Sequence, residues 1–166
     1  SGGGLHGAAH VGVLQVLERE GIRPEIIAGT SAGALVGGAY AAGVTTEQLT
    51  EIFLKMSWTD FVRPAWRNSL GMFNTKPMED YITRIIGEQL IEELPIKFLA
   101  VTCDILTGEK VLLNKGRLAT AMRASSAYPG LFTPIETDDG KMLIDGSVID
   151  NLPAELVRAM GADYVI

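Results

Sequence analysis

The sequence contains little cysteine and little histidine. Among its 166 residues, Cys103 is the single cysteine, and His6 and His10 are the two histidines. One cysteine excludes a disulfide within the chain, which suits a reducing compartment, and its apolar surroundings predict a buried thiol. The two histidines would share one face of a helix, but no acidic or cysteine partner is marked beside them. We therefore expect no metal site.

Long apolar runs and an excess of positive charge are also missing. No run approaches 18 residues, so the sequence predicts no transmembrane span. Lysine and arginine together number 14 against 20 acidic residues, a net charge of −6, which excludes a protein that binds the nucleic-acid backbone. We expect a cytoplasmic protein whose local basic and aromatic residues allow peripheral contact with a membrane surface. Oligomeric state has no signature in the sequence.

Apolar strands alternate with helical patterns along the chain. The length and the absence of linkers predict a single domain, residues 1–166. Strands that are apolar on both faces favour a largely parallel sheet covered on both sides, and the turn at 138–140 adds a hairpin. We expect Asn151 to be the N-cap of a final helix. Residues 1–4 lack the strand that normally precedes such a turn, and residues 162–166 resemble the start of a strand, so we expect truncation at both ends.

The segment 29–33 matches the pattern G-x-S-x-G. A short β-branched strand precedes it and a helix of small residues follows, which is the context that a nucleophile elbow requires. Gly29 and Gly33 remove Cβ atoms that would clash in the turn, and the helix directs its free N–H groups toward negative charge. The pattern favours a nucleophilic Ser31. The alternative is an ordinary turn in which Ser31 is an N-cap.

A nucleophilic serine needs a base, and both histidines precede Ser31. In the common hydrolase fold the serine comes first in the chain, an aspartate or glutamate second and the histidine last, so the order found here excludes that triad. The base is then one of the two histidines, a group outside the chain, or another residue. Asp145 is the best such residue, because it ends an apolar strand, Gly146 follows it, and carboxylates at strand ends face the ligand crevice. An Asx turn that closes the strand would explain the same aspartate.

The first glycines, residues 2–7, satisfy G-x-G-x-x-G. A dinucleotide-binding fold would place an acidic residue at the end of its second strand, whereas Glu25 precedes its strand, so we expect no nucleotide cofactor. Consecutive N–H groups of Gly2, Gly3 and Gly4 at a helix start can instead hold the negative oxygen of a tetrahedral intermediate. A glycine-rich turn without a ligand is the alternative.

Together these segments resemble the patatin-like phospholipase family. Its glycine-rich turn, G-x-S-x-G elbow and later D-G-[A/G] are matched in order by residues 2–7, 29–33 and 145–147, and residues 100–108 and 123–134 are similar as well. The sequence departs from the family pattern at His6, where arginine is usual, and at Ser147, where alanine or glycine is usual.

This resemblance implies an α/β fold, a three-layer α/β/α sandwich with a mostly parallel central sheet. It also implies a Ser-Asp dyad that hydrolyses fatty-acyl esters of phospholipids or lysophospholipids without metal or other cofactor. By this resemblance Ser31 is the nucleophile and Asp145 the base. The oxyanion hole comprises Gly2, Gly3, Gly4 and Ala32, and the motif glycines are Gly7, Gly29, Gly33 and Gly146. The alternative function is a catalytically silent lipid-binding or regulatory domain of the same fold.

Aromatic residues cluster between residues 53 and 73. The cluster contains Phe53, Trp58, Phe61, Trp66 and Phe73, with Lys55, Arg63 and Arg67 between them. Tryptophan favours the boundary between water and lipid, which suggests a lid or an interfacial patch over the acyl site. A capping loop that packs on the core would give the same pattern.

Overall fold

A computed structural model describes residues 1–66 and 70–166 of the chain, so Arg67 of the aromatic cluster lies outside the described residues. The helices are α1 (Ala8–Arg19), α2 (Ala32–Ala41), α3 (Thr46–Lys55), α4 (Lys76–Ile86), α5 (Leu118–Ser125) and α6 (Ala154–Ala159). The strands are β1 (Ile26–Thr30), β2 (Arg63–Pro64), β3 (Gly71–Asn74), β4 (Lys97–Asp104), β5 (Lys110–Leu113), β6 (Gly130–Phe132), β7 (Ile135–Glu136) and β8 (Met142–Asp145). Short 3₁₀ helices cover Gly4–Gly7, Trp58–Asp60, Ile91–Glu93 and Gly146–Val148.

The α/β fold predicted from the sequence is confirmed, and its main sheet is mixed. Strand β1 pairs with β4 in parallel, whereas β5 and β8 each pair with β4 antiparallel and β7 pairs with β8 antiparallel. The parallel pairing expected for most of the sheet is therefore confined here to β1 and β4. An apolar strand buried on both faces has the same residue pattern in either direction, which is why the sequence did not distinguish the two.

Strands β1 and β8 lie end to end along one edge of β4. Within β4, residues 97–101 pair with β1, residues 102–104 with β8, and residues 100–103 with β5. Because a strand has two edges, β5 occupies one of them and β1 and β8 share the other. Thr30, the last residue of β1, lies opposite Val101, and Asp145, the last residue of β8, lies opposite Thr102. The two strand ends thus meet at consecutive residues of β4.

Strand β4 is buried on both faces. Phe98 and Ala100 belong to the main apolar core, which also contains buried residues of α2 and α5. Since side chains alternate along a strand, Leu99, Val101 and Cys103 point to the opposite face, and they are buried as well. The predicted burial of Cys103 is confirmed, and burial together with the neighbouring Asp104 raises the pKa of its thiol.

Two sequence predictions about the last 20 residues are wrong. Asn151 does not cap α6, because that helix begins at Ala154 after Pro153 and has no side-chain cap. Residues 162–166 form no strand, and Tyr164 and Ile166 are exposed. Local signals alone supported both predictions, and the structure uses Asn151 elsewhere, beside the first glycine-rich turn.

Most of the aromatic cluster packs on the protein. Phe53 and Phe61 contact the main core, and the Trp58 ring lies 6.1 Å from that of Phe73 and 5.8 Å from that of Phe132, measured between centroids. Strands β2, β3 and β6 form a small second sheet here. Trp66 differs, since 92% of its surface is exposed.

Candidate active site

Ser31 stands between β1 and α2 in a strained backbone conformation. Its φ is 53° and its ψ is −121°. Among residues 1–66 and 70–166, Ser31 is the one residue other than glycine that has a positive φ. A residue held in such a region costs about 1–3 kcal/mol and persists where its surroundings determine it. A sharp turn of this kind from strand to helix exposes the serine hydroxyl.

Hydrogen bonds hold the Ser31 backbone on both sides. Its N–H donates to Oγ of Ser125 at 2.9 Å, and its carbonyl accepts from the amides of Ala34 at 2.9 Å and Leu35 at 3.0 Å. The Ser125 hydroxyl in turn donates to the Val101 carbonyl at 2.7 Å. Reasoning from the sequence missed Ser125, because the partners of its hydroxyl lie far away in the chain.

Glycines allow the two glycine-rich turns and their helices to pack closely. A Cβ on Gly29 would lie 2.6 Å from backbone atoms of Ala34, and one on Gly33 would lie 2.6 Å from the Ser1 carbonyl oxygen. A Cβ on Gly7 would lie 2.7 Å from that of Ala32. A larger residue at Gly7 or Gly33 would therefore push the N-terminal segment away from the second turn, and one at Gly29 would push the start of α2 away from β1.

Gly2 lies directly beside Ser31. A Cβ on Gly2 would overlap Oδ1 of Asn151 and would lie 3.4 Å from Cβ of Ser31 and 3.5 Å from Cβ of Ser147. The Gly2 amide donates to the Asn151 carbonyl at 3.1 Å. The missing side chain of Gly2 therefore leaves the space next to Ser31 open. The Gly2 N–H group, which we expected among the oxyanion donors, is already hydrogen-bonded to Asn151.

Three other amides of the two glycine-rich turns have no internal partner among the residues that the structure describes. Among residues 1–66 and 70–166, the N–H groups of Gly3, Gly4 and Ala32 have no hydrogen-bond acceptor. Gly3 and Gly4 are exposed at the start of the first 3₁₀ helix, and Ala32 begins α2. Unpaired N–H groups at helix starts are the donors from which an oxyanion hole is built.

Asp145 is buried, with 1% of its surface exposed. Its Oδ1 accepts the Ser147 amide at 2.8 Å, which closes the Asx turn considered from the sequence. Within the described chain, neither its Oδ2 nor the Ser31 Oγ makes a hydrogen bond, so the structure brings the two residues to adjacent strand ends without joining them. Catalytic hydrogen bonds are often long in the absence of substrate.

The segment after Asp145 ties the site together. Thr30 Oγ1 donates to the Asp150 carbonyl at 2.8 Å, and the Asp150 carboxylate accepts from Lys110 at 2.6 Å. The next residue, Asn151, accepts the Gly2 amide. This loop therefore connects the end of β1, the strand β5 and the first glycine-rich turn.

The two histidines are not brought into a metal site. His6 is exposed in the first 3₁₀ helix, and His10 places Nε2 2.9 Å from the Ser1 carbonyl oxygen. Across the part of the chain that the structure describes, no group of three or more His, Cys, Asp or Glu side chains is arranged to hold a metal ion.

An ion pair anchors α5, the helix that carries Ser125. Arg123 donates to Oε2 of Glu79 at 2.9 Å and to the Thr75 hydroxyl at 3.1 Å, and Lys76 donates to Oε1 of Glu79 at 2.6 Å. Burial alone would raise the pKa of Glu79, but the hydrogen bonds from Lys76 and Arg123 outweigh it and lower that pKa. Glu79 is thus held as a charged, buried partner between α4 and α5.

Comparison with known proteins identifies the family. The sequence matches the family described as patatin-like phospholipase over residues 1–158. The chain belongs to this family. It is 37% identical to a patatin-like phospholipase domain-containing protein of Caenorhabditis elegans and to an uncharacterized NTE family protein of Mycobacterium tuberculosis. It is 34% identical to patatin-like phospholipase domain-containing protein 6 of Homo sapiens.

Each of these alignments covers 99% of this chain, which spans 13%, 46% and 12% of the respective relatives. The crystal structure of VipD from Legionella pneumophila shares the fold, with a TM-score of 0.71 at 16% identity over 92% of this chain and 46% of that one. Within residues 1–66 and 70–166, no helix has the length and apolar character that crossing a membrane requires.

Proposed function

We propose that this patatin-like domain is a serine acyl hydrolase in which Ser31 is the nucleophile and Asp145 the base. One observation carries the proposal: Thr30 and Asp145 lie opposite Val101 and Thr102, consecutive residues on one edge of β4. Ser31 follows Thr30 directly, so the hydroxyl and the carboxylate come from adjoining strand ends. The amides of Gly3, Gly4 and Ala32 complete the set of groups that acyl transfer needs.

In the first half of the reaction, Ser31 Oγ attacks the ester carbonyl carbon while its proton passes to the Asp145 carboxylate. The carbonyl oxygen becomes an oxyanion, which the amides of Gly3, Gly4 and Ala32 stabilise. When the intermediate collapses, the bond to the alkoxy oxygen breaks and Asp145 returns the proton to the departing alcohol. The product is an acyl ester of Ser31.

In the second half, water attacks the acyl ester and gives its proton to Asp145. Collapse of this second intermediate releases the fatty acid and passes the proton back to Ser31 Oγ. The Asp145–Ser147 hydrogen bond stabilises the carboxylate orientation in both halves, since Oδ1 is fixed in the turn and Oδ2 is left for the proton.

We expect the substrate to be a fatty-acyl ester of a phospholipid or lysophospholipid. Family membership supports lipid esters as the class. The exposed Trp66 ring, with Arg63 exposed on β2 nearby in the chain, supports peripheral contact with a lipid surface. Replacing Trp66 by alanine should then lower hydrolysis of vesicle lipid and leave hydrolysis of a water-soluble ester unchanged.

The test of the dyad uses p-nitrophenyl esters and a fluorophosphonate probe. Ser31→Ala and Asp145→Asn should each abolish turnover while the protein stays folded, and the probe should label wild type at Ser31. Asp138→Asn, an exposed aspartate of the hairpin turn, is the matched control and should be fully active. Turnover that persists in either dyad variant rejects the proposal. A folded wild-type protein that binds lipid vesicles without turnover or labelling would instead indicate a catalytically silent lipid-binding domain.

A further inference from the structure

Ser125 is the last residue of α5 and is fully buried, at 0% exposure. It lies between β4 and the turn that carries Ser31, since its hydroxyl contacts both. Its Oγ donates to the Val101 carbonyl at 2.7 Å and accepts the Ser31 N–H at 2.9 Å. A single hydroxyl therefore satisfies one buried acceptor of the sheet and the amide of the proposed nucleophile.

The Val101 carbonyl lies beside the end of β1 and the end of β8. Val101 lies opposite Thr30, which precedes Ser31, and a Cβ on Gly146 would overlap the Val101 carbonyl oxygen. The turn after Asp145 therefore packs on the same carbonyl that Ser125 binds. Through this one atom, Ser125 links the backbone of Ser31 with the turn of Asp145.

The chemistry of this position requires a side chain that both donates and accepts. Alanine does neither, so it would leave the Ser31 N–H and the Val101 carbonyl without their shared partner inside the protein. The backbone of Ser31 would then lose a hydrogen bond that holds its φ at the strained positive value. The hydroxyl of Ser31 would move relative to Asp145 and the free amides.

We infer that Ser125 is a positioning residue for Ser31, which rests on the proposed function. It touches no reacting atom, and it acts by fixing the amide of the nucleophile against the sheet. Its loss should therefore lower kcat and the rate of probe labelling while leaving KM unchanged, because the substrate-binding surface is not altered.

The neighbouring Ser126 supplies a matched control. It is also buried, at 6% exposure, but its hydroxyl donates to the Met122 carbonyl within the end of α5 and, among the described residues, makes no hydrogen bond to a residue of the proposed site. Ser125→Ala and Ser126→Ala each delete one buried hydroxyl from the same short segment. A merely structural role predicts similar effects of the two changes, whereas a positioning role predicts that one of them acts on catalysis.

The experiment measures kcat, KM and the fluorophosphonate labelling rate in wild type and both alanine variants, with folding checked by circular dichroism. Ser125→Ala should lower kcat and the labelling rate roughly 10- to 100-fold, the range expected for a small misplacement of a catalytic group. Its KM should stay within about twofold, and Ser126→Ala should match wild type. A folded Ser125→Ala variant with wild-type kcat overturns the inference.

A second pair of variants covers the case in which Ser125→Ala does not fold. Cysteine at 125 keeps a similar size with a weaker donor and acceptor, so Ser125→Cys should have an intermediate kcat while Ser126→Cys is fully active. Wild-type kcat in Ser125→Cys overturns the inference in that case. If wild type itself is neither active nor labelled at Ser31, the proposed function fails; if Ser31→Ala is inactive and Ser125→Ala is not impaired, only the role of Ser125 fails.

Discussion

The two glycine-rich turns use glycine for different purposes. In the second turn, Gly29 and Gly33 are buried. A Cβ on either of them would lie 2.6 Å from neighbouring backbone atoms, so only glycine leaves room for that backbone. In the first turn, Gly3 and Gly4 are exposed, and no atom within 3.5 Å would meet a Cβ on either of them. Gly29 and Gly33 therefore fix the backbone around Ser31, the proposed nucleophile, whereas Gly3 and Gly4 leave unpaired amides exposed.

This difference suits the two roles of an acyl-transfer site. The nucleophile must be held in one strained conformation, and the buried partners of the second turn do so. Oxyanion donors must remain free of internal acceptors until charge develops, and the exposed start of the first 3₁₀ helix leaves Gly3 and Gly4, two of the proposed donors, in that state. Substitution by alanine can test the contrast, since the same change should be costly at Gly29 and mild at Gly3 and Gly4.

The largest effect is expected for Gly29→Ala. The added Cβ would meet the backbone of Ala34 and Gly33, which cannot move without displacing α2. We expect the free energy of unfolding to fall by about 3 kcal/mol, with loss of probe labelling. Urea denaturation measures the first and labelling at Ser31 the second; a stable, reactive Gly29→Ala variant would contradict the close packing.

The next largest effect is expected for Glu79→Gln. This change tests how α5, whose Ser125 binds the second turn, is held against α4. Loss of the charge weakens the hydrogen bonds from Arg123 and Lys76, and we expect a loss of about 2 kcal/mol in unfolding free energy near pH 7. Because the pKa of Glu79 is lowered in the folded protein, the stabilising effect is present above the ordinary glutamate pKa and is lost as pH falls through the folded value.

The stability difference between wild type and Glu79→Gln should therefore shrink below about pH 4.3. Urea denaturation of both proteins from pH 7 downward checks this. Glu155→Gln, an exposed glutamate of α6, is the control and should show no such dependence. A difference that stays constant with pH would show that the charge of Glu79 is not what stabilises α5.

A smaller effect is expected for Gly4→Ala. Gly4 has a φ of 54°, where an L-residue costs about 1–2 kcal/mol, but the added Cβ meets no atom within 4 Å. The loss of unfolding free energy should therefore be about 1 kcal/mol, and the amide should remain available for the oxyanion. A loss as large as that of Gly29→Ala would remove the contrast between the two turns.

The smallest effect is expected for Gly3→Ala. Its φ of 162° is close to extended backbone, and the nearest atom to an added Cβ, Cβ of His6, would lie 3.7 Å away. We expect a stability change within about 0.5 kcal/mol, measured by urea denaturation. The expected kcat is near that of wild type, and a collapse of stability here would show that Gly3 is as tightly packed as Gly29.

The sequence predicted what depends on short stretches of chain. Thr45 caps α3 in a capping box with Gln48, a signal that lies within four residues of the sequence. The α/β fold and the burial of Cys103 are confirmed as well. Ser31 and Asp145 were found because each stands in a short pattern with a mechanical reason, although their catalytic roles remain predictions.

What the sequence did not predict depends on contacts between distant residues. Ser125 meets Ser31 and Val101 across 94 and 24 positions of the chain, and a serine near a helix end carries no local sign of such partners. Similarly, the antiparallel direction of β8 is not visible in its apolar pattern. Asn151 has the residue type of a helix cap, yet its carbonyl and side chain lie beside Gly2.

The most direct test is a crystal structure of the protein after reaction with a fluorophosphonate. We predict a bond between phosphorus and Ser31 Oγ, and a phosphoryl oxygen about 2.7–3.1 Å from amides among Gly3, Gly4 and Ala32. The Asp145 carboxylate should lie within hydrogen-bonding reach of the modified serine oxygen. Phosphorus on a different residue, or an Asp145 carboxylate remote from the adduct, would contradict the proposed dyad.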